Sequence, residues 1–303
     1  CAEGPTVAVT VDVAEGVPEV RVVRPGGSVG LAAPTVASQP SFSPDGQRVV
    51  VVAAEGDYES AGPESTSLTA VGLAGADPVA VTPVGGQDRA PSWSPDGHSV
   101  AFVRSDFDRR RDEIVVAGAD GADPRPIVTL GVQLERALAV AWSPDGRRLA
   151  FVREVDTPDG SSTTFSLWVV AVDGSGLRAV AEVGAAVDDT FDGTDGSTLE
   201  WAGGDGRVLV SGAGVESGPR LVDVGTGRVD ELDGQLASAR WSRGGTHVVG
   251  IRSLPGGGAR LVEASLEGTA LGPPTELLDP TTLGEAYLTT SVAAGLDVAP
   301  CTL

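Results

Sequence analysis

The sequence Ser-Trp-Ser-Pro-Asp-Gly at residues 92–97, followed by the apolar run Val-Ala-Phe-Val at 100–103, decides the fold because the chain repeats it. In each copy, a short polar turn joins two apolar runs. Proline presets φ in such a turn, aspartate bonds back to the backbone, and glycine accepts a positive φ. Each copy therefore predicts a β-hairpin. The five copies, of which the last two are degenerate, stand at residues 41–46, 92–97, 141–146, 200–206 and 240–245.

A second glycine-rich turn follows within every copy. Each repeat then holds four short strands, which we name a, b, c and d, with tight a–b and c–d turns. Four-stranded units that recur at roughly 40–60 residues are typical of the blades of a β-propeller. The second turns lie at residues 75–77, 120–123, 173–176, 225–227 and 267–269.

The two chain ends supply one further blade. Residues 6–12, 18–24 and 28–33 have the pattern of strands b, c and d, and residues 287–293 have the pattern of a strand a. Joining them would remove two open sheet edges. We therefore expect an all-β fold, a single six-bladed β-propeller domain over residues 1–303, whose last blade is closed by both termini. The predicted blades span residues 38–82, 90–130, 138–182, 199–232, 238–278 and, for the closing blade, 287–301 with 6–33.

The intact Ser-Pro-Asp-Gly turns at 43–46, 94–97 and 143–146 resemble the TolB-like propeller repeat, also called the WD40-like or PD40 repeat. The resemblance covers essentially the whole chain. It implies a six-bladed propeller that works outside the cytoplasm and serves as a platform for binding another protein.

The composition excludes several classes of protein. The chain has 303 residues with 21 basic and 42 acidic side chains, and its net charge of −21 disfavours binding to nucleic acid. No apolar run reaches the length of a transmembrane segment. All basic residues are arginine, and the absence of lysine, asparagine and methionine is typical of a high-GC bacterium. The excess of acid favours a basic partner.

The two cysteines, Cys1 and Cys301, stand at opposite ends of the sequence. An even number of cysteines without metal-site spacing favours a disulfide formed in an oxidising compartment. A chain that starts with cysteine also resembles a bacterial lipoprotein with a lipid anchor on Cys1, and a third interpretation is that the chain begins there by accident. We expect an extracytoplasmic protein, either secreted or attached to the cell envelope.

Strand direction predicts two different faces of the disc. The tight a–b and c–d turns share one face, and the longer b–c and d–a segments share the other, which we call the long-loop face. Variable loops on a rigid scaffold are common binding sites, so we expect function at the long-loop face and the channel mouth. The long segments are 53–66, 104–112, 153–164, 182–198 and 279–286.

Two charged segments are candidate sites. The carboxylates of Asp188, Asp189, Asp192 and Asp195 could bind Ca²⁺, although their spacing fails the EF-hand template and an acidic solvated loop explains them as well. These aspartates, with Arg109, Arg110 and Arg111, are also candidates for contacting a partner. The three arginines could clamp a carboxylate or phosphate, or they could pair with the acidic side chains beside them.

No pattern in the sequence points to catalysis. The two histidines, His98 and His247, occupy turn positions that other copies fill with arginine, glutamine or serine. The repeated tryptophans are expected to pack between blades. We therefore predict a non-enzymatic, monomeric binding or scaffold protein without a cofactor, which recruits a protein or peptide. The alternative is a six-bladed hydrolase or lactonase that holds a metal by carboxylates in its channel.

Overall fold

The computed structural model describes residues 5–12, 18–24, 27–30, 37–55, 65–74, 78–106, 108–109, 111–131, 134–187, 198–204, 206–212, 218–232, 236–242, 245–253, 259–277 and 296–298. In these residues the chain forms 25 strands in six antiparallel sheets. Alternating runs of valine and alanine form these strands, since β-branched side chains pack well on a pleated surface.

Each sheet is one blade, and the blades follow one another along the chain. The first blade in sequence contains β1 (Val7–Asp12), β2 (Pro18–Arg24) and β3 (Gly27–Gly30). The second contains β4 (Ala37–Phe42), β5 (Arg48–Glu55), β6 (Ser65–Gly72) and β7 (Val79–Ala80). The third contains β8 (Asp88–Trp93), β9 (Ser99–Asp106), β10 (Arg111–Gly118) and β11 (Arg125–Thr129).

The remaining blades repeat this order. The fourth contains β12 (Glu135–Trp142), β13 (Arg148–Asp156), β14 (Ser162–Ala171) and β15 (Arg178–Val187). The fifth contains β16 (Thr198–Trp201), β17 (Arg207–Ser211), β18 (Arg220–Asp223) and β19 (Val229–Glu231). The sixth contains β20 (Leu236–Ser242), β21 (His247–Ser253), β22 (Ala259–Glu267), β23 (Ala270–Leu271) and β24 (Thr275–Glu276).

The sixth blade has five strands because its outer strand is interrupted. Both β23 and β24 pair with β22, at Leu266–Glu267 and Val262–Glu263 respectively. Pro273 and Pro274 lie between them, and proline has no backbone N–H to donate to a ladder. The two short strands therefore act as one broken strand d, and all six blades have four-stranded architecture.

Both chain ends complete the first blade. The last strand, β25 (Leu296–Val298), pairs with β1 in antiparallel register, with Val7 opposite Val298 and Val9 opposite Leu296. The innermost strands β4, β8, β12, β16, β20 and β25 contact one another in that cyclic order, so the ring is closed. The predicted closure by both termini is confirmed, but the pairing strand lies later than the predicted residues 287–293, which are outside the described part of the chain.

The Ser-Pro-Asp-Gly turns hold themselves together through side-chain hydrogen bonds. The hydroxyl of Ser94 donates to Asp96 Oδ1 at 2.6 Å, and the same oxygen accepts the N–H of His98 at 3.0 Å. The N–H of Ser99 donates to Ser94 Oγ at 2.9 Å. The other two intact copies repeat this pattern.

These turns also touch one another around the ring. Gly97 has a φ of +73°, and a Cβ placed on it would lie 3.6 Å from Cδ of Pro44 in the preceding turn. Gly146, with a φ of +67°, stands in the same relation to Pro95. The positive φ is therefore what requires glycine here, and the proline of the preceding blade's turn borders it at an ordinary packing distance.

Two of the predicted long loops are shorter in the structure. Strand β13 continues to Asp156, and β14 begins at Ser162. The link between them contains a Thr-Pro-Asp-Gly turn, in which Thr157 Oγ1 donates to Asp159 Oδ1 at 2.8 Å. Likewise, β9 and β10 occupy much of 104–112. The prediction of long loops at 104–112 and 153–164 is wrong, because the flanking strands extend into both segments, and at 157–160 the turn chemistry of the repeat also occurs on the long-loop face.

We expect Asp96→Ala to lower the free energy of unfolding by about 1 kcal/mol, because it removes the acceptor for both Ser94 and His98. The hydrogen bond from Ser94 lowers the pKa of Asp96. The stabilisation should therefore be fully present above pH 4 and fade as the pH falls through the lower folded-state pKa. Urea unfolding from pH 7 down to pH 3 measures both effects. The exposed Asp108→Ala serves as control, and equal losses in the two variants would contradict the assignment.

We expect a chain that ends at Gly295, and so lacks β25, to lose at least about 3 kcal/mol of unfolding free energy, because the buried face of β1 becomes exposed. A chain that ends at Ala299 keeps β25 while losing Cys301, so it separates the strand from the cysteine. Urea unfolding under reducing conditions compares the two. Identical midpoints would show that β25 does not close the ring.

Candidate functional site

A cavity of about 390 Å³ lies on the axis of the propeller, at the face that carries the tight turns. Every one of the six innermost strands contributes to its wall, so its shape depends on the closed ring. Its volume lies in the range of ligand-binding pockets. The wall residues contributed by the successive strands are Ser41, Ser92, Ala141, Glu200, Arg240 and Val298.

Aromatic rings and prolines form the mouth of this cavity. The prolines belong to the three intact Ser-Pro-Asp-Gly turns. The aromatic residues end the innermost strands immediately before the turns of the first four copies, the fourth of which is degenerate. These residues border the mouth with side chains of fixed geometry. The mouth residues are Phe42, Trp93, Trp142, Trp201, Pro44, Pro95 and Pro144.

Two of the repeated tryptophans, Trp142 and Trp201, are hydrogen-bonded to the blades that precede them. The indole Nε1 of Trp142 donates to the carbonyl of Ser92 at 3.1 Å, and that of Trp201 donates to the carbonyl of Ala141 at 3.3 Å. Trp201 is buried, and the guanidinium of Arg148 lies 5.0 Å from its ring centroid. The expected packing between blades is present, and the same side chains also line the cavity, which the sequence did not indicate.

Two charged side chains reach the cavity wall, and both are anchored to the backbone of a neighbouring blade. The N–H of Trp241 donates to Glu200 Oε2 at 2.8 Å. The guanidinium of Arg240 donates to the carbonyl of Leu199 at 2.6 Å. These residues were missed at the sequence level, although a signal existed: they occupy the position directly before the repeated aromatic residue, where other copies have serine or alanine.

The predicted arginine site lies on the long-loop face. Arg109 donates to Asp106 Oδ2 at 2.8 Å, and Arg111 is 3.1 Å from Glu113 Oε1. Arg110 is outside the described residues. These ion pairs agree with the interpretation that the segment neutralises itself. Contact of Arg109, Arg110 and Arg111 with a partner stays a prediction.

Asp112 does not join that pairing, because its side chain points to the junction between the third and fourth blades. It is 5% exposed and accepts hydrogen bonds from Arg89 at 2.7 Å, Ser105 at 2.7 Å and the N–H of Ala137 at 2.9 Å. Arg89 also donates to the carbonyl of Ala137 at 2.9 Å. The carboxylate therefore ties two blades together.

A second buried carboxylate on this side has a different environment. Glu154 is 2% exposed, and Arg136 donates to its Oε1 at 3.0 Å. Its Oε2 has no hydrogen-bond partner among the described residues. Burial raises the pKa of Glu154, while Arg136 acts against that rise. Glu154 thus costs stability in its charged form, in contrast to the fully bonded Asp112.

The predicted Ca²⁺ loop cannot be placed, since Asp188, Asp189, Asp192 and Asp195 lie outside the described residues, as do Cys1 and Cys301. Within the described ranges, no group of three or more His, Cys, Asp or Glu side chains could hold a metal ion. The described wall of the axial cavity contains one carboxylate, that of Glu200. Among the residues that the structure describes, no helix is long and apolar enough to cross a membrane.

Comparison with solved structures establishes the fold. A chain from a nidogen–laminin complex matches with a TM-score of 0.66 and 13% identity, over 99% of this chain and 100% of its own length. TolB from Acinetobacter baumannii matches with a TM-score of 0.63 and 16% identity, over 90% of this chain and 66% of its own. The fold is therefore that of a TolB-like β-propeller. No protein-family model and no curated protein matches the sequence.

Enzymes share this fold as well. An oligogalacturonate lyase in complex with manganese matches with a TM-score of 0.54 and 12% identity, over 90% of this chain and 72% of its own. At such identities the likeness concerns the fold alone. Function must be inferred from the residues of this chain.

We expect Asp112→Asn to destabilise the protein by about 3 kcal/mol, because it leaves the guanidinium of Arg89 without its carboxylate at a partly buried junction. The matched control is Asp106→Asn, which removes the partner of an exposed arginine and should leave the urea midpoint unchanged. If both variants unfold at the wild-type midpoint, Asp112 does not tie the two blades together.

Proposed function

We propose that this protein is a non-catalytic, extracytoplasmic binding module that receives a segment of a protein or peptide partner in its axial cavity. The observation that carries the proposal is the cavity itself, whose wall is shared by all six innermost strands. A site built on short, mutually bonded strands is rigid before a ligand arrives, which lowers the entropic cost of binding.

The chemistry of the wall supports binding over catalysis. The lining combines aromatic, proline and small aliphatic side chains with polar groups that could orient a ligand. Its described charged groups, Glu200 and Arg240, are each bonded to a backbone group of the adjacent blade. That arrangement fixes charges in place and does not resemble a paired acid and base. We therefore prefer the binding function to a metal-dependent hydrolase or lactonase in the channel.

The similar structures include one that comes from a complex of proteins. One is part of a complex between nidogen and laminin, and another is TolB. The first shows that a propeller of this shape occurs in a complex of two proteins. For this chain, a protein or peptide partner remains our proposal, and so does a contribution from the long-loop face, most of whose longer segments lie outside the described residues.

The strand register favours a disulfide between the two cysteines, and such a disulfide would support an extracytoplasmic location. Val7 and Val298 are register partners. The chain therefore enters the blade before Val7 and leaves it after Val298 at the same end of the sheet. Cys1 precedes Val7 by six residues, and Cys301 follows Val298 by three. We propose that they form a disulfide, which requires an oxidising compartment. A lipid anchor on Cys1 is the competing proposal, and it would place the membrane near the cavity mouth.

We expect peptides selected from a phage-displayed random library on the native protein to bind at least about 10-fold more weakly to Ser92→Trp, because the indole would occupy the cavity. Fluorescence anisotropy with labelled peptides measures the affinities, and near-UV circular dichroism checks the fold.

The control variant is Val79→Trp, an exposed position in the outermost strand β7 that should leave binding unchanged. If Ser92→Trp does not fold, Ala141→Leu is a second variant, which fills less of the cavity. Peptides that bind all variants equally would contradict the proposed site, and a library that yields no binders would contradict the proposed function.

A further inference from the structure

Glu154 stands at a position of the repeat where the other intact copies carry no ionisable side chain. It follows the turn aspartate of its blade by nine residues, and the residues at that distance in the second and third blades are Ala54 and Ser105. Glu154 shares one face of β13 with Val152, because side chains alternate along a strand. Val152 packs in the apolar cluster that joins the fourth and fifth blades, so Glu154 faces that junction.

The residue opposite Glu154 on the neighbouring strand explains why one oxygen of its carboxylate lacks a bond. In the third blade, Ser105 lies opposite Asp112, and the two side chains hydrogen-bond to each other. In the fourth blade, the residue opposite Glu154 is Phe165, whose fully buried side chain has no polar atom. Glu154 Oε2 has no hydrogen-bond partner among the described residues. A buried carboxylate in such a place favours its neutral form.

Arg136 is the counter-ion of Glu154, and the two differ greatly in exposure. Its guanidinium donates to Glu154 Oε1 at 3.0 Å, and the side chain of Arg136 is 44% exposed whereas that of Glu154 is 2% exposed. Arg136 is the second residue of the innermost strand β12, which begins at the long-loop face, so it stands where the channel opens on that face. The exposed member of the pair can therefore move into solvent while the buried member stays in place.

Burial has the largest effect on the pKa of Glu154 and raises it above the ordinary value of 4.5. Arg136 on β12 and Arg89 on β8 act against that rise, and Asp156 on the same strand as Glu154 adds to it. The other elements packed against this face, β14 and the fifth blade, contribute the apolar side chains of the shared cluster. Glu154 therefore takes up a proton in less acidic solution than an exposed glutamate requires.

We propose that Glu154 and Arg136 form an acid-sensitive switch where the channel opens on the long-loop face. In neutral solution, the ion pair holds the guanidinium of Arg136 against the fourth blade. In acid, a proton from solvent binds to the carboxylate of Glu154, the ion pair is lost, and the guanidinium becomes available to an anionic group at the channel opening. The switch goes beyond the proposed function, because it concerns the long-loop face and not the axial cavity.

A double-mutant cycle measures the coupling between the two residues. Urea midpoints are compared at pH 7 and pH 4 for the wild type, Arg136→Gln, Glu154→Gln and the double variant. At pH 7, Arg136→Gln should lower the midpoint of the wild type, because the buried carboxylate loses its counter-ion, and it should have little effect in the Glu154→Gln background. At pH 4, where Glu154 is protonated, this coupling should be largely lost.

Glu154→Gln alone provides a second readout of the buried charge. A folded-state pKa above that of the unfolded chain contributes stability at low pH, and this contribution is lost as the pH rises through the folded-state value. The midpoint of Glu154→Gln should therefore match that of the wild type at pH 4 and exceed it at pH 7. Glu182→Gln, at an exposed position of the same blade, is the control and should match the wild type at both pH values. If Glu154→Gln does not fold, Glu154→Ser takes its place in the cycle.

NMR spectra of the arginine side chains test whether Arg136 is released. The Nε signal of Arg136, assigned by its loss in Arg136→Gln, should shift between pH 7 and pH 4, and the shift should be absent in Glu154→Gln. Sodium sulfate is the anionic probe, and sodium chloride at equal ionic strength is its control. Sulfate should move the Arg136 signal at pH 4 and leave it in place at pH 7.

Two results would overturn the switch. A coupling of equal size at pH 7 and pH 4 would show that acid does not break the pair of Glu154 and Arg136. A response to sulfate that is the same at both pH values would show that protonation does not make Arg136 available to an anion.

Discussion

The pairing of β25 with β1 is the constraint on which the rest of the molecule depends. Val7 and Val9 are fully buried on β1, and they are covered from the chain's other end by a strand of three residues. Through this pairing the row of innermost strands becomes a ring. Without it the axial cavity would lack one wall, and two sheet edges would be open to other chains.

The neighbouring blades are joined by polar contacts as well as by apolar packing. Asp112 and Arg89 bond the backbone of Ala137 in the next blade, and the side chain of Gln39 accepts the N–H of Ala90 at 2.6 Å. Both contacts lie beside bulges in strand a, where the ladder leaves backbone groups unpaired. Such bonds fix the angle between blades. Because the cavity lies between the blades on the axis, its shape is fixed as well.

Sequence reasoning could predict the fold because the repeat carries its own turn chemistry. Ser94 and Asp96 bond to groups within five residues, and the N–H of Gly97 donates to the carbonyl of Ser94, so their pattern reveals the hairpin directly. The broken strand d of the sixth blade and the late position of β25 were harder to predict. Both depend on pairing between distant segments, which short apolar runs do not specify.

The candidate site was predicted less well, since it arises from residues far apart in the sequence. Glu200 and Arg240 come together only when the ring is assembled, and each looks like an ordinary surface charge when its repeat is read alone. The prediction of a site in the arginine segment instead relied on the local density of charged residues. In the structure, Arg109 and Arg111 pair with nearby carboxylates. Comparing equivalent positions across the copies would have identified the cavity wall.

Hydrogen exchange of the backbone amides in β25 tests the central claim, that the two chain ends complete the ring and its cavity. The closed ring predicts that amides of Leu296–Val298 that bond to β1 exchange as slowly as those of β20, another innermost strand. Exchange at the rate of an unstructured peptide in residues 296–298, with β20 still protected, would show that the ring is open and would contradict the account.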